Sequence, residues 1–465
     1  MRERKLWKEA IEEAWTRRSV VWLRGVRRVG KTTLAQSLDR VRYFDCELPG
    51  VRRRIESPES FLRHNRGARI VLDEVHRLPN PSEVLKIAAD HFPETRVLAT
   101  GSSTLGASAR FRDTLAGRKA DVFLPPMVFR DLAAFGRPDL DHRMLRGGLP
   151  PFFLAEALPE SDFQEWMDAY WAKDVMELFR LEKRAAFQAL FELMLVRSGG
   201  IFDASRFARD CGVSRTTIAN YRAVLEATSV AHVVRPYSEG GSAEIVSAPR
   251  VFGFDTGFVS YHRGWSELRS DDVGILLEHL FLNEAHAHGA PFAIHYWRDK
   301  AHHEIDFVLR RRGGHPIAVE CKRSERSFDA TNLAAFRRRH PEGANWLVIP
   351  EGEGSWTTTA RGMDVQVIPL SEVERMLLAA SHQGRRKNTF ARARRGISSA
   401  VVTTAPSGGD FSPRTSHHRA ERDARVRAGV PRGRVIGDTT VGSCPGPVRS
   451  RWARMVFYRG SPCDC

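Results

Sequence analysis

The residues best placed to do chemistry are Gly25-Val26-Arg27-Arg28-Val29-Gly30-Lys31-Thr32, two glycines bracketing four residues and followed by a lysine and a hydroxyl. Glycines let backbone N–H groups wrap a phosphate with no Cβ in the way. A helix that starts at the lysine adds the positive end of its dipole. In this spacing Lys31 reaches the β- and γ-phosphates of a nucleoside triphosphate and Thr32 offers a hydroxyl to Mg²⁺. The flanks agree, with Val20-Val21-Trp22-Leu23 reading as a strand and Thr33-Leu34-Ala35-Gln36-Ser37-Leu38 as a helix. These residues imply a purine nucleoside triphosphate without choosing its base.

Three further segments belong with that loop. Arg69-Ile70-Val71-Leu72-Asp73-Glu74 is an apolar strand ending in two acids, of which Asp73 would hold the Mg²⁺ shell and Glu74 polarise a water. Val97-Leu98-Ala99-Thr100-Gly101-Ser102-Ser103 ends in small polar residues, so Ser102 either senses the terminal phosphate or caps a helix. Arg118, after Leu115-Ala116-Gly117, is either a finger reaching into a neighbour's site or a surface arginine.

A second constellation lies far downstream. Glu304-Ile305-Asp306 and Ile317-Ala318-Val319-Glu320-Cys321-Lys322 are strand ends, and Glu278 sits on a helix expected over Gly274–Glu284. Residues 320 and 322 are two apart on a strand, so a carboxylate and an ammonium share one face. Asp306 and Glu320 would share a Mg²⁺, with Glu278 nearby and Lys322 stabilising developing charge. The arrangement resembles the PD-(D/E)xK nuclease core, departing from it where no proline precedes Asp306 and where Cys321 replaces an aliphatic residue. Such a core either cuts or survives as a binding scaffold. His302 and His303 beside it read as solvated histidines at a strand start.

These groups need elements to hold them. Five strands are expected at Ser19–Leu23, Val41–Cys46, Arg69–Leu72, Arg96–Thr100 and Ala120–Leu124, with helices between, which is the pattern of a covered parallel sheet. Residues 127–195 read as helical, with Trp166, Met167, Tyr170 and Trp171 on an apolar face. Next comes a helix, a turn at Gly212 and a second helix capped by Ser214 that carries Arg215, Thr216, Asn220 and Arg222. Val230–Val234 and Val251–Phe254 would form a wing. This grammar serves either DNA reading or protein packing.

The 465 residues carry a net charge of +16, but residues 381–465 hold 17 Lys and Arg against 5 Asp and Glu. The basic character therefore belongs mostly to a tail without apolar periodicity, expected to be disordered. Six irregularly spaced cysteines exclude a disulfide scaffold and a zinc ribbon. From the charged amphipathic N-terminus and the lack of a long apolar run, a cytoplasmic location away from membranes is expected.

Taken in order, the phosphate loop, the Tyr43-Phe44-Asp45-Cys46 strand, Asp73-Glu74, Thr100–Ser103 and Gly117-Arg118 resemble the AAA+ superfamily. With Leu124-Pro125-Pro126-Met127 and Gly147-Gly148-Leu149-Pro150, they resemble in particular the ATPases that end in a DUF4143 domain. That resemblance covers about residues 5–378 and implies ATP and Mg²⁺. The expected architecture is an α/β chain with a P-loop ATPase core over 1–125, a helical lid over 126–195 and a winged helix-turn-helix over 196–260. A nuclease-like DUF4143 domain over 261–380 and a basic tail over 381–465 complete it. The expected function is ATP hydrolysis coupled to a half that cuts DNA, regulates by binding DNA, or docks a protein. An Arg118 finger would require an oligomer.

Overall fold

The computed structural model describes residues 2–101, 114–137, 139–157, 160–176, 183–238, 248–288 and 292–381. These lie in one compact unit, and the tail from residue 382 onward is outside the described residues. The first sheet contains β1 (Val20–Arg24), β2 (Arg42–Asp45), β3 (Arg69–Asp73), β4 (Arg96–Thr100) and β5 (Lys119–Phe123), each within about two residues of expectation. Its order is β2-β3-β4-β1-β5, and every pairing is parallel. Alternate side chains serve two cores. Val21, Leu23, Val71, Leu98 and Val122 face Leu34 and the N-terminal helix Lys5–Arg17, whereas Val20, Trp22, Ile70 and Val97 face Leu85 and Ala88. Burial on both faces is why these strands read as unbroken apolar runs. Parallel pairing also brings their C-terminal ends, and the motifs that follow them, to one edge.

The helical stretch is present as Phe129–Ala134, Leu140–Arg146, Pro150–Leu154, Glu160–Tyr170 and Arg184–Val196. Trp166, Met167, Tyr170 and Trp171 are buried as expected. Helices Ala204–Asp210 and Arg215–Ala227 follow, capped by Asp203 and Ser214, with Gly212 at φ +65° in the turn between them.

The second sheet has eight strands: β6 (Ala231–Pro236), β7 (Arg250–Gly253), β8 (Ala293–Arg298), β9 (Glu304–Arg310), β10 (Ile317–Cys321), β11 (Asn345–Ile349), β12 (Trp356–Ala360) and β13 (Met363–Pro369). Their order is β12-β13-β11-β10-β9-β8-β6-β7. The two strands expected as a wing do pair antiparallel, as β6 and β7. However, β6 also pairs parallel with β8, Arg235 opposite His295. They are the margin of the large sheet and not a free wing. Ala231, Val234, Val251 and Phe252 are all buried, and a solvated wing would have left such apolar residues exposed. Helix Ser270–His288 packs Phe281 on Phe307 at 5.1 Å. Helix Thr331–Arg339 buries Leu333 and Phe336 in the cluster of Ile305, Val308 and Leu347.

Two buried acids tie distant parts of the chain together. Asp131 accepts Arg4 Nε at 3.1 Å and Nη2 at 2.5 Å, and Glu284 accepts the Phe129 N–H at 2.6 Å. Burial, opposed by the Phe129 N–H, pushes the Glu284 carboxyl up to about 8. Folding therefore takes up a proton between the ordinary glutamate value and about 8, so this group's stabilisation is present at low pH and lost as pH rises through that window. Stability should fall by up to about 1.4 kcal/mol per pH unit there. Urea titrations from pH 5 to 9 should show that slope in the wild type and its flattening in Glu284→Gln. An unchanged slope would show that Glu284 is ionised in the fold.

Candidate functional site

The phosphate loop leaves β1 under tight steric control. A Cβ on Gly25 would stand 2.4 Å from the Leu124 carbonyl oxygen, so only glycine fits there. Arg28 at φ +62° and Gly30 at φ +100° turn the backbone through left-handed conformations, the kind of curl that presents successive N–H groups to an anion. Helix Lys31–Gln36 then begins at the lysine. Lys31 is buried, and its Nζ donates to the carbonyls of Gly25 at 2.9 Å and Val26 at 3.1 Å. Burial lowers its pKa, and the Glu74 charge offsets part of that. A cavity of about 300 Å³ opens here, lined among others by Lys31, Thr32, Glu74, His76, Asp174 and Thr228.

Both acids after β3 are held in place. Asp73 accepts the Tyr43 hydroxyl at 2.6 Å and the Thr100 hydroxyl. Glu74 sits at φ +50°, donates its N–H to Thr100 Oγ1 at 3.1 Å and meets His76 Nδ1 at 3.1 Å. Burial raises the Glu74 pKa, but the His76 hydrogen bond and the Lys31 charge outweigh it and leave the carboxyl below its ordinary value. Hydroxyl and carboxylate oxygens are the donor set that suits Mg²⁺, so Thr32 and Asp73 fit that ion.

Thr100 supplies the hydroxyl beside the acids; Ser102 lies outside the described residues. Arg118 pairs with Asp90 at 2.7 Å, each about one-third exposed, and is not among the cavity's lining residues.

The downstream constellation also assembles. Val319 stands opposite Phe307, which sets Asp306 beside Glu320. Lys322 Nζ lies 3.0 Å from Asp306 and 2.6 Å from Glu320, and the Cys321 N–H donates to Asp306 at 2.9 Å. Glu278 is joined not to these residues but to Arg250 of β7, at 2.6 Å. That guanidinium also meets Glu304 at 3.3 Å and Asp306 at 3.9 Å. Burial and the Asp306 charge push the Glu278 carboxyl up to about 8, and burial raises Glu320 well above its ordinary value. Lys322 stands beside Asp306 and Glu320 as its spacing predicts, and Arg250 also approaches Asp306, so a cation entering between the two carboxylates would have to displace these contacts. Among the described residues, no group of three His, Cys, Asp or Glu is placed to hold a metal ion. His303 accompanies Asp299 at 3.0 Å and His302 accompanies Arg298 at 2.8 Å.

On the second helix of the helix-turn-helix, Arg215, Thr216 and Asn220 are exposed while Ile218, Tyr221 and Leu225 are buried. Arg222 instead lies over the Phe202 ring at 5.5 Å, off the exposed face.

Family models match in sequence: an AAA domain over residues 17–133, a domain of unknown function (DUF8612) over 137–269, and a second one (DUF4143) over 273–373. The chain thus joins an AAA domain to a C-terminal DUF4143 domain, as its motifs imply. Uncharacterized proteins of Mycobacterium bovis and Mycobacterium tuberculosis are each 28% identical over 326 residues, 68% of this chain and 72% of theirs. A Walker-type ATPase of Pyrococcus abyssi is similar at 14% identity and a TM-score of 0.38, over 57% of this chain and 96% of its own. A DNA polymerase III gamma subunit-related protein of Thermotoga maritima is similar at 11% identity and a TM-score of 0.22, over 49% and 97%. Among the described residues no helix is long and apolar enough to cross a membrane.

Proposed function

We propose that the protein binds and hydrolyses ATP with Mg²⁺ and uses the nucleotide state to act through its C-terminal half. The observation that carries this reading is one cavity lined by the phosphate loop, Thr32 and Glu74 together with Thr228 and Val230, directly after the second helix of the helix-turn-helix. The backbone N–H groups of residues 25–33 and the Lys31 ammonium bind the phosphates. Thr32 and Asp73 would hold Mg²⁺, which would supply charge neutralisation on the phosphate oxygens. Glu74 orients and deprotonates the attacking water.

For the C-terminal half, the ion pairs of Lys322 and Arg250 favour a nucleotide-gated switch that binds DNA or a protein over a Mg²⁺-dependent nuclease. The exposed Arg215, Thr216 and Asn220 are the face such a switch would offer to DNA. ATP turnover of the full chain with and without duplex DNA tests this, with Lys31→Ala as blank and Asp306→Ala assayed for cutting. DNA-stimulated hydrolysis without cleavage is expected. Cleavage lost in Asp306→Ala would establish the nuclease, and a rate indifferent to DNA would assign the half to a protein partner.

A further inference from the structure

The phosphate cavity has a wall that the nucleotide motifs leave unexplained. Asp174 lines it alongside Arg27, Lys31 and Glu74, as do Tyr170 and Thr228. Asp174 sits in a single π turn, Trp171–Val175, that continues helix Glu160–Tyr170. Such turns are rare and are frequent at functional sites. Here the turn presents a buried carboxylate, Asp174 at 7% exposure, whose Oδ2 accepts Arg27 Nε at 3.0 Å. The same helix grips the loop twice more: Trp166 Nε1 donates to the Arg27 carbonyl at 3.2 Å, and Arg28 pairs with Glu165. About one turn before Asp174, the Tyr170 hydroxyl lies 2.7 Å from that of Thr228. Thr228 closes helix Arg215–Ala227 by donating to the Val224 and Leu225 carbonyls at 2.9 and 3.1 Å.

A carboxylate in the wall of a phosphate cavity is repelled by the polyanion that enters. Arg27 is the cation it holds, and a guanidinium fork suits phosphate at least as well as carboxylate. We propose that Asp174 and the terminal phosphate of the nucleotide compete for Arg27, so that the π-turn helix reads the nucleotide and passes its state through Tyr170–Thr228 to helix Arg215–Ala227. The inference rests on the phosphate-site reading above. It makes Arg27 a side-chain phosphate contact supplied within the chain. Asp174 becomes a positioning residue that weakens binding to the resting site.

Titrations of the full chain with ATP and with ADP test it, Lys31→Ala serving as the blank. Asp174→Asn should tighten ATP binding about tenfold and ADP binding far less, since only ATP carries the competing phosphate. Arg27→Gln should weaken ATP about tenfold, and the double variant should match Arg27→Gln, because no arginine remains to compete for. Tryptophan fluorescence should respond to ATP in the wild type and not in Arg27→Gln. Unchanged or weaker ATP binding by a folded Asp174→Asn overturns the proposal, as does an equal gain in the Arg27→Gln background. If Asp174→Asn does not fold, Arg27→Gln decides alone: an unchanged ATP-to-ADP preference overturns it. Wild-type binding that survives Lys31→Ala would instead remove the phosphate-site reading beneath it.

Discussion

Changing Glu74 to glutamine is expected to stop ATP turnover while leaving ATP bound, with kcat lowered by about two to three orders of magnitude. The glutamine keeps the size and the contact with His76 but has no lone pair basic enough to take a proton from water. Glu74 is held for the task from three sides. Its backbone is turned to φ +50°, its N–H is anchored on Thr100, and its carboxylate is steered by His76 at 3.1 Å. Its carboxyl is depressed below the ordinary glutamate value, so it is ionised throughout the neutral range and should impose no acid limb on the rate above about pH 5. Lys31→Ala differs in kind, because it should abolish binding itself. Steady-state turnover measured beside equilibrium ATP binding separates the two. A Glu74→Gln variant that hydrolyses at the wild-type rate would move the role of base to another carboxylate in the cavity.

Much of that site was legible in the sequence because its parts are local. A glycine that cannot carry a Cβ, a lysine at a helix start and two acids at a strand end each declare themselves within a few residues. Covered parallel strands likewise leave apolar runs that end close to where β1–β5 end. The partners that hold the site were not legible, because they come from elsewhere in the chain. Asp174 is 147 positions from Arg27, and nothing in Trp171–Val175 announces a π turn. Arg250, opposite Val234 of β6, meets Glu278 across 28 positions, a contact that no local pattern signals. The wing was misjudged for a related reason. Strand and turn signals show that β6 and β7 pair, but not that β6 finds β8, a long-range edge pairing made at Arg235 and Pro236.

Arg250 carries the largest expected effect on stability. Its guanidinium meets Glu278, Glu304 and Asp306 while the residue is 5% exposed. Removing one partner of a buried charge network leaves the others uncompensated, so Arg250→Met should destabilise the fold by about 3–5 kcal/mol at neutral pH. The loss should deepen as pH rises. Glu278, already pushed up to about 8 beside the arginine, would hold its proton more tightly without it, and ionising it in that setting opposes folding. Glu278→Gln in the same chain should restore part of the loss and flatten the pH dependence, because the most strongly coupled acid is then neutral at every pH. Urea denaturation of the two single variants and the double variant at pH 6 and pH 9 measures the coupling directly. If Arg250→Met is instead as stable as the wild type, Arg250 is not what compensates Glu278, Glu304 and Asp306. Their charge would then be available to an external cation, and the nuclease reading of Asp306, Glu320 and Lys322 would regain the ground that Arg250 takes from it.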